Sequence, residues 1–203
     1  MPGFDHSDHS DHAYTLDEYT NRIVDVMRDA GLDRAHFVGS RTGAVVSMSM
    51  AANHPERLDR LVLQGSPGWN LREGAIILEK VFRPQYDENG LPRPTPYEEA
   101  AQRNPNLDPE RHERINEAIR RRPWWYKMCH EMHTGTDIAA LMPHVRAPTL
   151  VMFKESDPLR RREERFLQEI KNSRLVIVPG PNGEAAEDSP EVYISEVMSF
   201  LTQ

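Results

Sequence analysis

Apolar residues recur along the chain in two rhythms, and one long stretch keeps to neither. Leu16, Tyr19, Ile23, Val26 and Met27 repeat at helical spacing. Thr15-Leu16-Asp17-Glu18 opens that run as a capping box, with Thr15 as N-cap and Glu18 reaching back, and Gly31 stands where the helix should close. Short β-type runs then appear near Ala35 to Val38, Arg60 to Gln64, Ala147 to Phe153 and Leu175 to Val178. Arg60 to Gln64 reads as a strand buried on both faces. Between the strands lie a small-residue helix near Thr42 to Asn53, stopped by Pro55, and a charged helix through Phe166, Leu167 and Ile170. A last helix opens at Pro190 with Ser189 as N-cap.

From Trp69 to about Met142 the strand rhythm is absent. Thr95-Pro96 and Asp108-Pro109 each read as an N-cap followed by proline at the first helical position, so this stretch is a set of helices joined by proline-rich loops. The overall order is strand, helix, strand, long helical insert, strand, helix, strand, helix. It predicts an α/β fold with a mostly parallel sheet of about four strands and helices on both faces.

The most specific stretch is Phe37-Val38-Gly39-Ser40-Arg41-Thr42-Gly43-Ala44-Val45-Val46, where a strand meets a glycine-flanked turn that runs into a helix. That is the setting of the nucleophile elbow G-x-S-x-G, whose glycines flank a residue held in a strained backbone. The lead-in Leu32-Asp33-Arg34-Ala35-His36-Phe37-Val38-Gly39 and the lead-out Ala52-Asn53-His54-Pro55-Glu56-Arg57-Leu58 strengthen the match. With these motifs the chain resembles the α/β-hydrolase superfamily over nearly its whole length. The resemblance implies a partial α/β-hydrolase fold, with a core from residues 1–68 and 143–203 and a helical cap inserted at 69–142. It places Asp157 at the acid position, Arg41 at the nucleophile position and Gly183 at the histidine position, and makes the backbone N–H of Thr42 an oxyanion or anion donor. Ser40, Trp124 and Trp125 are the pocket candidates. The opening Pro2-Gly3-Phe4-Asp5-His6-Ser7-Asp8 matches a loop that follows an early strand, so the strands usually found before it are not in this sequence. Small esters, epoxides and haloalkanes are the implied substrates.

The residues themselves argue against ordinary hydrolysis. A guanidinium stays protonated and has no lone pair for attack, so Arg41 does not replace serine, and Gly183 offers no base. The expected protein is a pseudoenzyme with a degenerate triad, acting as a binding or interaction module for a small anionic or apolar ligand. The alternatives are a hydrolase of small esters that uses non-standard groups or a partner subunit, or a fragment of a longer hydrolase. A fixed cation at a helix N-terminus calls for an anion near Arg41. The two candidates are a bound ligand and Asp157; the internal pair is favoured because it explains both substitutions with one contact.

No cofactor and no metal are expected. His130-Glu131-Met132-His133 spaces its histidines three apart, not four as a zinc helix needs, and the Asp5-His6-Ser7, Asp8-His9-Ser10, Asp11-His12 run reads as a duplicated polar loop. Cys129 reads as structural. The length of 203 residues fits one domain, and a net charge of -7 makes nucleic acid a poor partner. One cysteine, no signal-like opening and no apolar run long enough for a bilayer point to the cytoplasm and to no membrane partner. An elbow strand without its usual neighbour would leave an open sheet edge, so a homo-oligomer or a covering partner is expected.

Overall fold

The computed structural model describes residues 2–3, 7–8, 11–180 and 184–203. Gly183 lies outside the described residues, as do Asp5, His6, His9 and Ser10 of the polar repeat.

Four strands, β1 (Ala35–Ser40), β2 (Leu58–Gln64), β3 (Thr149–Lys154) and β4 (Ser173–Val178), form one sheet in the order β1-β2-β3-β4. All three pairings are parallel, with Phe37 opposite Leu61, Val62 opposite Leu150 and Val151 opposite Leu175. Helix α1 (Leu16–Asp29) precedes β1, α2 (Thr42–Asn53) makes the crossover from β1 to β2, and α3 (Leu71–Ile77), α4 (Tyr97–Arg103), α5 (Pro109–Arg121), α6 (Pro123–Thr134) and α7 (Ile138–Leu141) fill the interval between β2 and β3. Then come α8 (Glu163–Glu169), α9 (Ala185–Asp188) and α10 (Pro190–Leu201). In the α3 to α7 interval the only described β pairing is an isolated bridge between Tyr86 and Pro92.

Strand alternation sorts the core onto two faces. Leu61, Leu63, Val151 and Phe153 pack with Tyr19, Met27, Met48 and Phe166 on one side. Val62, Leu150 and Met152 pack with Val197 and Phe200 of α10 on the other. Helix α2 is buried almost all round, because α1 covers the side that the sheet does not, and this is why its polarity shows no stripe. Its buried serine Ser49 is satisfied by the Thr20 hydroxyl at 3.1 Å. Gly39 is required by close packing: a Cβ there would lie 2.4 Å from the Gly43 carbonyl oxygen.

Local signals were mostly obeyed. Thr15 and Glu18 form the reciprocal capping box, and Gly31 closes α1 at φ +68. Asp108 caps α5 by accepting from the Glu110 N–H at 2.9 Å. Two details differ from expectation. Helix α4 starts at Tyr97, one residue late, with Pro96 itself as N-cap, since Pro96 is extended at ψ 143. Ser189 stands at the N-cap of α10 without capping it, because its hydroxyl receives the buried Lys154 ammonium at 3.1 Å.

Strands β1 and β4 are the two outer strands, and the outer edge of β1 has no strand neighbour among the described residues. Val38, in the middle of that strand, is 46% exposed. No described helix is long and apolar enough to cross a membrane.

Candidate functional site

The turn from β1 into α2 keeps a strained backbone. Arg41 has φ 53 and ψ -116 and is the one described residue other than glycine at positive φ. It is held there by its N–H, which donates to the Gln64 carbonyl at 3.0 Å, and by its own carbonyl, which accepts from the Ala44 N–H at 3.0 Å. Such a conformation costs on the order of 1–3 kcal/mol and survives only where the surroundings impose it.

The Arg41 side chain lies over Gly65, where a Cβ would come within 2.8 Å of Nη1; Gly65 itself sits at φ +52. Crossing that gap brings Nη1 to Asp157 Oδ2 at 2.7 Å and Nε to Glu184 Oε1 at 3.1 Å. Asp157 is set by the turn after β3: it is the N-cap of the 3-10 helix Pro158–Arg162, and its Oδ1 accepts from the Leu159 N–H at 2.9 Å. Its side chain is 1% exposed. Glu184 Oε2 accepts from the Ser40 hydroxyl at 2.6 Å and from Gln64 Nε2 at 2.9 Å. Burial pushes the Glu184 carboxyl up, but the hydrogen bonds from Ser40, Arg41 and Gln64, with the charge of Arg41, outweigh it and leave the group below the usual carboxylate range.

A cavity of about 630 Å³ lies beside this cluster, lined by residues that follow the C-terminal ends of β1, β2 and β3. Arg41 and Thr42 form part of its wall, with Trp69, Ile77, Phe82, His130 and His133 around them. Helix α3 runs into a π-helical turn over Leu78–Phe82, and Val81 and Phe82 of that turn line the cavity. The Phe82 ring stacks on His130 with centroids 4.0 Å apart. The Tyr86 hydroxyl lies 3.3 Å from His130 Nδ1. Burial lowers His130 to about 4, and burial with the neighbouring His130 lowers His133 to about 3, so both imidazoles are neutral near pH 7. Burial likewise raises the Cys129 thiol to about 11, against a hydrogen bond with the Thr42 side chain, so it is no thiolate nucleophile.

An elbow at the end of a parallel strand, an acid loop after a later strand and a cavity between them meet in one place. A family description for the alpha/beta hydrolase fold matches residues 1–183. The chain belongs to the alpha/beta hydrolase fold family. Among curated members of known name, it is similar to 2-hydroxymuconate semialdehyde hydrolase of Pseudomonas sp. (strain CF600), 36% identical over 69 residues, or 34% of this chain and 24% of that protein. It is also similar to 2-hydroxy-6-oxo-6-phenylhexa-2,4-dienoate hydrolase of Comamonas testosteroni, 32% identical over 99 residues, which is 42% of this chain and 33% of that protein. The matched stretches thus span a third or less of these relatives' length. A solved meta-cleavage product hydrolase from Pseudomonas fluorescens IP01 superposes with a TM-score of 0.76 at 18% identity, covering 100% of this chain and 77% of that one.

Within this alpha/beta hydrolase fold the expected site residues divide. Arg41, Asp157 and Ser40 meet in one cluster, and Thr42 lines the cavity beside it. Trp124 and Trp125 do not line the cavity. Trp125 stacks on Tyr14 at 5.4 Å and packs against Gly3, while Trp124 is 39% exposed and meets Trp125 edge-on. Both sit at the N-terminal end of α6, about two turns before His133, and Trp125 meets the opening segment there. The sequence reading missed Glu184, Gln64, Trp69 and Phe82. His130 and His133 stood out in the sequence for their near-zinc spacing, whereas burial makes them neutral and they line the cavity.

Proposed function

We propose that this member of the alpha/beta hydrolase fold family binds a small ligand in the cavity beside the elbow and does not perform Ser-His-Asp hydrolysis. The observation that carries the reading is the contact of Arg41 with both Asp157 and Glu184. The acid that would orient a histidine is instead spent on a cation at the nucleophile position. Of the two hydroxyls that flank Arg41, Ser40 donates to Glu184 and the Thr42 side chain is hydrogen-bonded with the Cys129 thiol. On this reading residues 69–142 form a helical cap over a core of residues 1–68 and 143–203.

Incubation with short-chain p-nitrophenyl esters is expected to release nitrophenol at the buffer rate, and a fluorophosphonate probe is expected to leave the protein unlabelled. Ester turnover that is lost in Asp157→Asn would instead establish a working hydrolase with non-standard groups.

The open edge of β1 supports a second proposal, that two copies associate there. An edge strand offers unpaired N–H and C=O groups, and Val38 adds exposed apolar surface beside them. Sedimentation velocity should show a concentration-dependent dimer that Val38→Lys weakens. A monomer up to about 100 μM, well above the Kd range of stable self-association, would sink this proposal.

A further inference from the structure

The charged groups around the cavity do not cancel evenly. Arg41 is held by Asp157 and Glu184. Glu73 is shared by Arg162 at 3.4 Å and Arg165 at 2.6 Å. Arg161, which also lines the cavity, has no ion pair or hydrogen bond among the described residues. Every carboxylate that touches the wall is therefore already engaged, and one guanidinium is left over at its exposed rim. This local excess of positive charge stands in a chain of net charge -7.

The lining also has an apolar, aromatic part. Trp69 is 2% exposed and its indole N–H donates to the His133 carbonyl at 2.8 Å, which fixes the ring and uses up its one polar atom. Phe82, stacked on neutral His130, continues that wall through the π-helical turn. A volume of about 630 Å³ lies within the range of small-molecule sites.

We propose that the cavity binds a small aryl monocarboxylate, with its ring against Trp69, Phe82 and His130 and its carboxylate at Arg161. A single free guanidinium matches a single negative charge, and its fork matches carboxylate geometry. Aromatic walls with no charge favour a ring over a polar chain. Arg41 is not the anion site, because its guanidinium already has two carboxylate partners. The proposal rests on the non-hydrolytic reading of the cavity given above, and the test separates the two.

Isothermal titration of the full chain with 3-phenylpropanoate and with its neutral counterpart 3-phenylpropan-1-ol reads the contribution of the charge. The acid should bind about tenfold more tightly than the alcohol, and Arg161→Gln should remove that advantage while leaving the alcohol's affinity unchanged. Phe82→Ala should weaken both ligands. Arg161 is exposed, so Arg161→Gln is expected to fold normally, and an unchanged melting temperature checks this. Equal affinity for acid and alcohol, no binding of the acid at millimolar concentration, or acid binding that survives Arg161→Gln would each overturn the proposal. Methyl 3-phenylpropanoate is incubated in parallel. Its hydrolysis would refute the non-hydrolytic reading whatever the titration shows.

Discussion

Arg41→Ala is expected to destabilise the protein by about 3 kcal/mol, the largest loss expected from any single change at the site. Removing one partner of a buried ion pair costs roughly 3–5 kcal/mol, because the other charge stays behind without compensation. Asp157, with its side chain 1% exposed, is that stranded group, and it would keep only the Leu159 N–H. Arg41 and Glu184 are 32% and 27% exposed, so water offsets part of the loss and the lower end of the range applies. Alanine gives nothing back, since it too has a Cβ at φ 53. Glycine does, and Arg41→Gly should be about 1 kcal/mol more stable than Arg41→Ala. Asp157→Ala placed on top of Arg41→Ala should cost much less than it does alone, because the pair is then already broken. Urea unfolding of the four variants, with unchanged m-values, measures all of this. A loss below about 0.5 kcal/mol for Arg41→Ala, the scale of an ordinary surface substitution, would show that the cluster does not hold the elbow.

Stability should fall by about 4 kcal/mol between pH 7.5 and pH 5, about 2 kcal/mol for each of two histidines. His130 and His133 are lowered to about 4 and about 3 in the folded protein, against 6.5 when unfolded. Between pH 6.5 and 4 the unfolded chain therefore binds protons that the folded chain refuses, and folding weakens as pH drops through that window. The stability that the two rings contribute is fully present above pH 6.5. Low carboxylates such as Glu73, held at about 2 by Arg165, begin to matter only below about 4.5 and do not account for a loss at pH 5. His133→Phe keeps a ring against Phe82 and Trp69 and removes one titration. Its pH slope should be about half that of the parent. An identical slope would place the acid sensitivity elsewhere.

The strands and most caps were legible because their signals are local: Thr15 and Glu18 are three residues apart, and Gly39 to Gly43 announce the turn that strains Arg41. The Arg41 to Asp157 contact was also within reach, since a fixed cation at the start of a helix calls for an anion and Asp157 was a named candidate. Glu184 was not. It meets Ser40 across 144 positions, and nothing in its neighbourhood distinguishes it from the exposed carboxylates of the closing segment. The wall of the cavity was hidden for another reason. Composition shows that α6 is rich in aromatic and imidazole groups, but only the depth of each along the helix decides that His133 meets Trp69 and Phe82 while Trp125 meets Tyr14.

The long interval of helices between β2 and β3 also sets a timetable for synthesis. β2 pairs with β3, yet Thr149 leaves the ribosome 85 residues after Gln64. At roughly 5–20 residues per second that delay is about 4–17 s. Throughout it the edge of β2 that β3 will cover stands unpaired. The moment of greatest risk for this chain therefore falls before release, and a chaperone that waits at the tunnel exit would meet it there.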